Sequence, residues 1–126
     1  MKTKEINKRV ASFEEALKVT GRPQLPDFSN LPADLREYFE AQYMAIVITE
    51  ALNEGWTPDW TNQNQQKWIP WFHRQVSSSG FVFGDAGYGC SLAYAGDGSR
   101  LCFKDEATAR YAGKQFIEIW NKLLLK

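Results

Sequence analysis

Four of the chain's five tryptophans, Trp56, Trp60, Trp68 and Trp71, stand close together, with Phe72 beside the last of them. Between them runs a tract rich in Thr, Asn and Gln. Indole rings are costly to leave in water, so a segment this dense in them either folds over a core or forms an adhesive surface. As a surface, the aromatic faces would stack on sugars or unpaired bases, with the amides of Asn62, Gln63, Asn64, Gln65 and Gln66 at the rim. As core, the indoles would cover the middle of the chain and pin a long connector. Both readings stay open at this level, and an interface with a protein partner is a third use for such residues.

The flanking segments read as helices. Ser12 with Glu15 three residues on forms a capping box, and Gly21 followed by Pro23 ends the short helix that it opens. A long helix then begins near Ser29 or Asn30, with Pro32 in its first turn and Gly55 at its end. Leu31, Leu35, Tyr38, Phe39, Ile46 and Leu52 supply the three- and four-residue rhythm of a buried face. Apolar character spreads around the helix over residues 44–48, so its second half is expected to be covered on more than one side. Asp105 caps a last helix, lined by Ala109, Ala112, Phe116, Ile119, Trp120 and Leu123. Gly113 in that helix suggests the close approach of another backbone.

Between the long helix and the last one the period changes to that of strands. Residues 67–72 read as an edge strand because Pro70 cannot donate to a central ladder. Residues 80–84, 90–94 and 100–103 read as further strands separated by glycine-rich turns, the last two joined by a turn at Asp97-Gly98. That hairpin would place Leu92, Tyr94, Leu101 and Phe103 on one face, and Cys102 opposite to Cys90, which argues against a disulfide between them. The sum is a single α+β domain over residues 1–126: N-terminal helices with one long central helix, a three- to four-stranded antiparallel meander, and a C-terminal helix packed on it. Residues 1–11 are expected to form a mobile basic arm.

Net charge is zero, which argues against a general duplex DNA binder, since neutralising phosphates takes a surplus of Lys and Arg. The zero is unevenly made. Residues 1–10 carry four basic and one acidic group (+3), residues 11–59 three basic and nine acidic (−6), and residues 60–126 eight basic and five acidic (+3). Such a dipolar chain can self-associate or present its basic end to an anion. The basic start runs into an acidic amphipathic region rather than an apolar core, and no apolar run approaches the roughly 20 residues of a membrane span. A reduced, cytoplasmic protein without membrane contact is the expectation.

No catalytic motif stands out. His73 is the only histidine, so a metal site of the usual ligand spacing is not expected. General-base duty would require a carboxylate beside it, with Asp59, Asp85 and Asp97 as the candidates. Gly84, Gly87 and Gly89 lack the Lys-Ser/Thr of a nucleotide loop and read as turn glycines. Lys67, Arg74, Arg100 and Lys104 could form a modest basic strip along the sheet. No cofactor is expected.

Four strings, FEEALKVTGRP (residues 13–23), EALNEGWTPDW (50–60), SRLCFK (99–104) and YAGKQF (111–116), together resemble a family of small uncharacterised proteins of gut Bacteroidetes and their phages and prophages. The resemblance spans nearly the whole chain. It implies a mobile-element setting inside a bacterial host cell, with no activity, cofactor or catalytic residue to transfer. The functional expectation is therefore a non-enzymatic, phage- or prophage-associated binding or assembly protein. Its partner would be another protein or a second copy, and its surface would comprise Trp56, Trp60, Trp68, Trp71 and Phe72 with Arg74 and Arg100 nearby. Binding of single-stranded nucleic acid through the same aromatics and the basic C-terminal half is the alternative. A small hydrolase using His73 is a lesser one.

Overall fold

The computed structural model describes residues 2–74, 80–93 and 98–125, with side chains from Ile6 onward. Its order is α1 (Lys2–Arg9), α2 (Phe13–Thr20), α3 (Ala33–Asn53), β1 (Lys67–Arg74), β2 (Phe81–Gly89), a 3-10 turn (Gly98–Arg100), α4 (Glu106–Gln115) and α5 (Ile117–Leu124). The α+β class and the long helix are as expected. The number of strands is not, since the described residues hold a two-stranded antiparallel sheet.

The capping chemistry works as the sequence implies. Ser12 Oγ accepts from the Glu15 N–H at 3.2 Å, while Glu15 Oε1 accepts from the Ala11 N–H at 2.9 Å. Gly21, at φ +73°, closes α2 by donating to Leu17 O. Just before it, the segment expected to be a mobile arm forms α1 instead. Its Ile6, and Val10 just beyond, are buried in the core. The Tyr111 hydroxyl reaches the carbonyls of Asn7 and Val10 at 2.9 and 2.7 Å, and Gln115 Nε2 donates to Ala11 O. Two apolar side chains one turn apart and three tethers to α4 are enough to dock a short basic helix that its charge alone would leave in water.

α3 is two different helices in one. Its second half is enclosed, with Ala45, Val47, Ile48, Ala51 and Leu52 all buried. Its first half is not: Leu35, Tyr38 and Phe39, read from the sequence as inner-face residues, stand 41 %, 40 % and 38 % exposed. Pro32 rather than Ser29 or Asn30 occupies the N-cap, without a side-chain cap bond. At the other end Glu54 (φ +49°) and Gly55 (φ +87°) both adopt the left-handed conformation. Lys104 Nζ, 3.0 Å from Glu54 Oε1, braces the non-glycine one.

β1 and β2 pair from Lys67↔Gly89 to Arg74↔Phe81, with a bulge where Trp71 opposes Asp85 and Phe72 opposes Phe83. β2 is longer than predicted because Gly84, Gly87 and Gly89 lie inside it rather than in turns. A Cβ at Gly87 would come within 2.9 Å of the Trp71 indole, and one at Gly84 within 2.8 Å of the His73 ring. The glycines are slots for aromatic side chains of β1.

The two further strands do not form among the described residues. Phe103 makes an isolated bridge to Trp68, while Arg100 ends the 3-10 turn. Cys102 O and Lys104 N–H, which a neighbouring strand would take up, are bonded by the Asn53 side chain at 3.0 Å each. The chain bends at Cys90 and Ser91 in place of a strand there. Leu92 is 86 % exposed whereas Leu101 and Phe103 are buried, so the expected one-face grouping fails. Tyr94 and the Asp97 position of the expected turn lie outside the described residues. No disulfide joins the two cysteines, Cys102 being buried and Cys90 partly so.

The predicted C-terminal helix is α4 and α5 with a break at Phe116 (φ −111°, ψ 31°). Asp105 caps α4 as expected, accepting from the Thr108 N–H at 2.7 Å. Trp120 Nε1 donates to Ala112 O at 3.0 Å across the break. α4 lies on the inner face of the sheet, and Gly113 permits it: a Cβ there would sit 2.5 Å from Phe83 Cδ1 and 2.9 Å from Pro70 Cβ. The close neighbours are side chains of the sheet rather than backbone. Gly113→Ala should therefore destabilise the fold by about 1–2 kcal/mol in urea denaturation, because overpacking outweighs the roughly 1 kcal/mol gain in helix propensity. A more stable variant would show that α4 rides higher on the sheet than its position here.

Candidate functional site

Strand alternation and the bulge sort the aromatic residues to opposite sides of the sheet. Trp68, Pro70 and Phe72 face α4 and α5; Ile69, Trp71 and His73 face outward. The rings of Trp68 and Tyr88 lie 4.8 Å apart between centroids, and Phe72 packs against Phe83 at 6.3 Å and Trp120 at 5.7 Å. Trp56 sits in the connector after α3, half-buried, its backbone N–H on Asn53 O at 2.9 Å. Trp60 is half-buried as well, with Nε1 donating to Ser99 Oγ at 2.6 Å. Of the clustered indoles Trp71 is the most open, 47 % exposed. The tryptophans that the sequence groups together are thus split between inner face, connector and outer face, and do not form one stacking platform.

Two concavities meet at Ile69 and Trp71. The larger, about 640 Å³, runs between the exposed half of α3 (Tyr38, Gln42), strand β1 (Ile69, Pro70, Trp71, Phe72), Phe81, Leu101 and the end of α5 (Trp120, Leu123, Leu124). None of these side chains is charged, and its size is that of an ordinary ligand site. Leu124, at the far end of the lining, is exposed, as is Leu35 one turn before Tyr38. Only Trp71 and Phe72 of the residues singled out from the sequence line this groove. Tyr38, Leu101, Trp120 and Leu123 were read as inner-face residues rather than as site residues, because periodicity marks an apolar face without saying whether anything covers it, and no pattern pointed to Gln42, Phe81 or Leu124.

The smaller concavity, about 410 Å³, is walled by Trp60, Trp71 and Tyr88, with Leu92, Gly98 and Cys102 around them. Lys67 lies in it, yet the residue is only 2 % exposed. Its ammonium donates to the carbonyls of Asn62 (3.2 Å), Gln65 (3.1 Å) and Cys90 (2.5 Å), and lies 5.0 Å from the Trp60 ring centroid. All three ammonium protons are used, and the indole face supplies a cation–π contact. The backbone of the amide-rich tract is therefore wound round Lys67, while the side chains of Asn62, Gln63, Asn64 and Gln66 are exposed.

Asp59 belongs to the same connector. Its carboxyl is held below the ordinary carboxylate range, first by the Thr61 hydroxyl and then by the Thr61 N–H, with Lys67 contributing less. A depressed acid stabilises the fold above its unfolded pKa, and that contribution is lost as pH falls through the folded value.

The basic strip expected from Lys67, Arg74, Arg100 and Lys104 does not assemble. Lys67 is caged and Lys104 is paired with Glu54, leaving Arg74 at the end of β1 and Arg100 at the end of the 3-10 turn as exposed residues. His73 is exposed on the outer face, and among the described residues no carboxylate hydrogen-bonds to its ring. No group of three or more His, Cys, Asp or Glu side chains among the described residues could hold a metal ion. No helix among them is long and apolar enough to cross a membrane.

No family model, curated protein or solved structure matches this chain. The reading of the site therefore rests on its own geometry.

Proposed function

We propose that this protein is a non-enzymatic binding or assembly module, and that the groove between α3, β1 and α5 is its contact surface. The observation that carries the reading is the uncharged, aromatic-rich lining of that groove, which includes the exposed Tyr38, Trp71 and Leu124. Large apolar side chains held in contact with water by a rigid frame are the usual mark of an interaction site. We further propose a mobile-element setting, with a partner encoded by a phage or prophage or by its bacterial host.

Trp71→Ala is the probing substitution. Packed against Gly87 and about half-buried on the outer face, it should cost about 1–3 kcal/mol of folding free energy and leave the variant folded, while removing an aromatic wall of the groove. Affinity capture from a bacterial host lysate should then retain a defined partner on the wild type and lose it on Trp71→Ala and Leu124→Asp. Identical capture by all three would refute the groove as the contact surface.

A second reading draws on the smaller concavity, where Trp60, Trp71 and Tyr88 offer aromatic faces of the kind that unpaired bases stack on. Fluorescence titration with a single-stranded oligonucleotide decides it. Affinity that falls steeply with salt and with Trp60→Ala supports nucleic-acid binding, and salt-independent or absent binding removes it. The hydrolase reading gains no support from the surroundings of His73.

A further inference from the structure

We propose that the groove is a strand acceptor: it takes an extended, uncharged peptide segment of a partner protein as a third strand on the open edge of β1. This rests on the binding reading given above and narrows it to one class of partner.

The direction of the β1 backbone is fixed at Trp68. Its N–H donates to Phe103 O at 3.0 Å and its carbonyl accepts from the Phe103 N–H at 2.7 Å, on the side of β1 away from β2. Backbone groups alternate in direction along a strand, so Pro70 and Phe72 turn theirs to that same side. Among the described residues no strand pairs with β1 there beyond the single Trp68–Phe103 bridge. Pro70, with no N–H to offer, stands at a position facing the open edge, where that loss breaks no bond to β2.

The groove lies along this edge. Ile69 and Trp71 project to one face of β1, Pro70 and Phe72 to the other, yet all four line it. A cavity that touches both faces of one strand must run beside the backbone between them. An occupant therefore meets the Pro70 carbonyl and both backbone groups of Phe72 as well as apolar side chains. A helix or a purely apolar molecule would cover those groups without bonding them, which is unfavourable. An extended chain supplies N–H and C=O at the matching repeat, while its alternate side chains enter the cavity. The lining carries no charge, so a charged residue seated there would lose its hydration with no partner in return. Complementarity thus selects a neutral, apolar alternation.

Selection of peptides from a random display library on the full-length protein tests this directly. The expected result is enrichment of apolar residues at i and i+2. A synthetic copy of the selected peptide should protect the Phe72 amide from hydrogen exchange and bind about tenfold or more weakly once its edge-facing amides are N-methylated. Selected peptides with apolar residues at i, i+3 and i+4, or indifference to N-methylation, would overturn strand addition and leave the groove as a binding surface of another kind. No enrichment at all would remove both. Sedimentation velocity covers the remaining occupant: a concentration-dependent dimer that Trp71→Ala dissolves would mean that a second copy fills the groove, and the proposal falls.

Discussion

Lys67→Met should lower the unfolding free energy by about 2–4 kcal/mol, read as a fall in the urea midpoint at unchanged slope. Methionine fills much the same volume, so the loss comes from chemistry rather than from a void. Three carbonyls, those of Asn62, Gln65 and Cys90, converge on the ammonium, and all three lose their donor at once. Hydrogen bonds to a charged group contribute about 1.5–3 kcal/mol each, but burying the ammonium and ordering its side chain cancel much of that sum. What remains is the cost of acceptors held together in a shell only one polar atom wide. Lys67→Arg keeps the charge and should rescue little, because a planar guanidinium cannot direct three N–H bonds to carbonyls gathered around a point. The connector should loosen first in both variants, so rising acrylamide quenching of Trp60 fluorescence would precede global unfolding. A Met variant within about 0.5 kcal/mol of wild type would mean that water satisfies the carbonyls as well as Lys67 does.

That cage also marks where the sequence stops speaking. Much of the local chemistry was legible: Ser12 and Glu15, Gly21 and Asp105 each act through side chains or backbone within a few residues of themselves, and pattern reading finds them, though it misplaced the cap of α3 and the glycines of β2. The edge strand with Pro70 was legible for the same reason, since a missing N–H is a local fact. Lys67 was not. A lysine opening an apolar strand looks like a solvated end, and only the folded path of residues 59–66 and Cys90 brings the carbonyls that make it a core residue. The exposed half of α3 failed in the opposite direction. Leu35, Tyr38 and Phe39 carry a sound inner-face rhythm, but periodicity gives the face that would be buried and not the partner that would bury it. Of that half, Tyr38 stands with Gln42 in one wall of the groove, while Leu35 and Phe39 lie outside it, Phe39 against the Phe28 ring. The local pattern and the tertiary outcome disagree here at the proposed contact surface, which is where a conflict between levels is most informative.

The missing strands fail for a subtler reason, and it yields the second large effect. Asn53→Ala should destabilise the protein by about 2–3 kcal/mol, with fast hydrogen exchange appearing at the Lys104 amide before the rest of the core opens. Asn53 stands at the last residue of α3, 5 % exposed, and its amide does the work of a neighbouring strand: Nδ2 donates to Cys102 O and Oδ1 accepts from Lys104 N–H. Between those two residues Phe103 turns its own N–H and carbonyl to Trp68. The segment is thus held from both sides, by one residue of a strand and one side chain of a helix. That is why residues 100–103 look like a strand by composition and make only one bridge. Alanine removes both side-chain bonds together. The surface ion pair from Lys104 to Glu54 contributes too little to replace them, as Glu54→Ala, expected to cost less than about 1 kcal/mol, would establish in parallel. Asn53→Asp keeps the acceptor for Lys104 N–H but sets a carboxylate oxygen against Cys102 O, so it should recover no more than part of the loss. Leu101, one residue before the clamp, lines the groove. A peptide bound there should therefore dissociate faster from Asn53→Ala even at temperatures where the variant stays folded. An unchanged off-rate would separate the groove from the clamp and limit the role of Asn53 to stability.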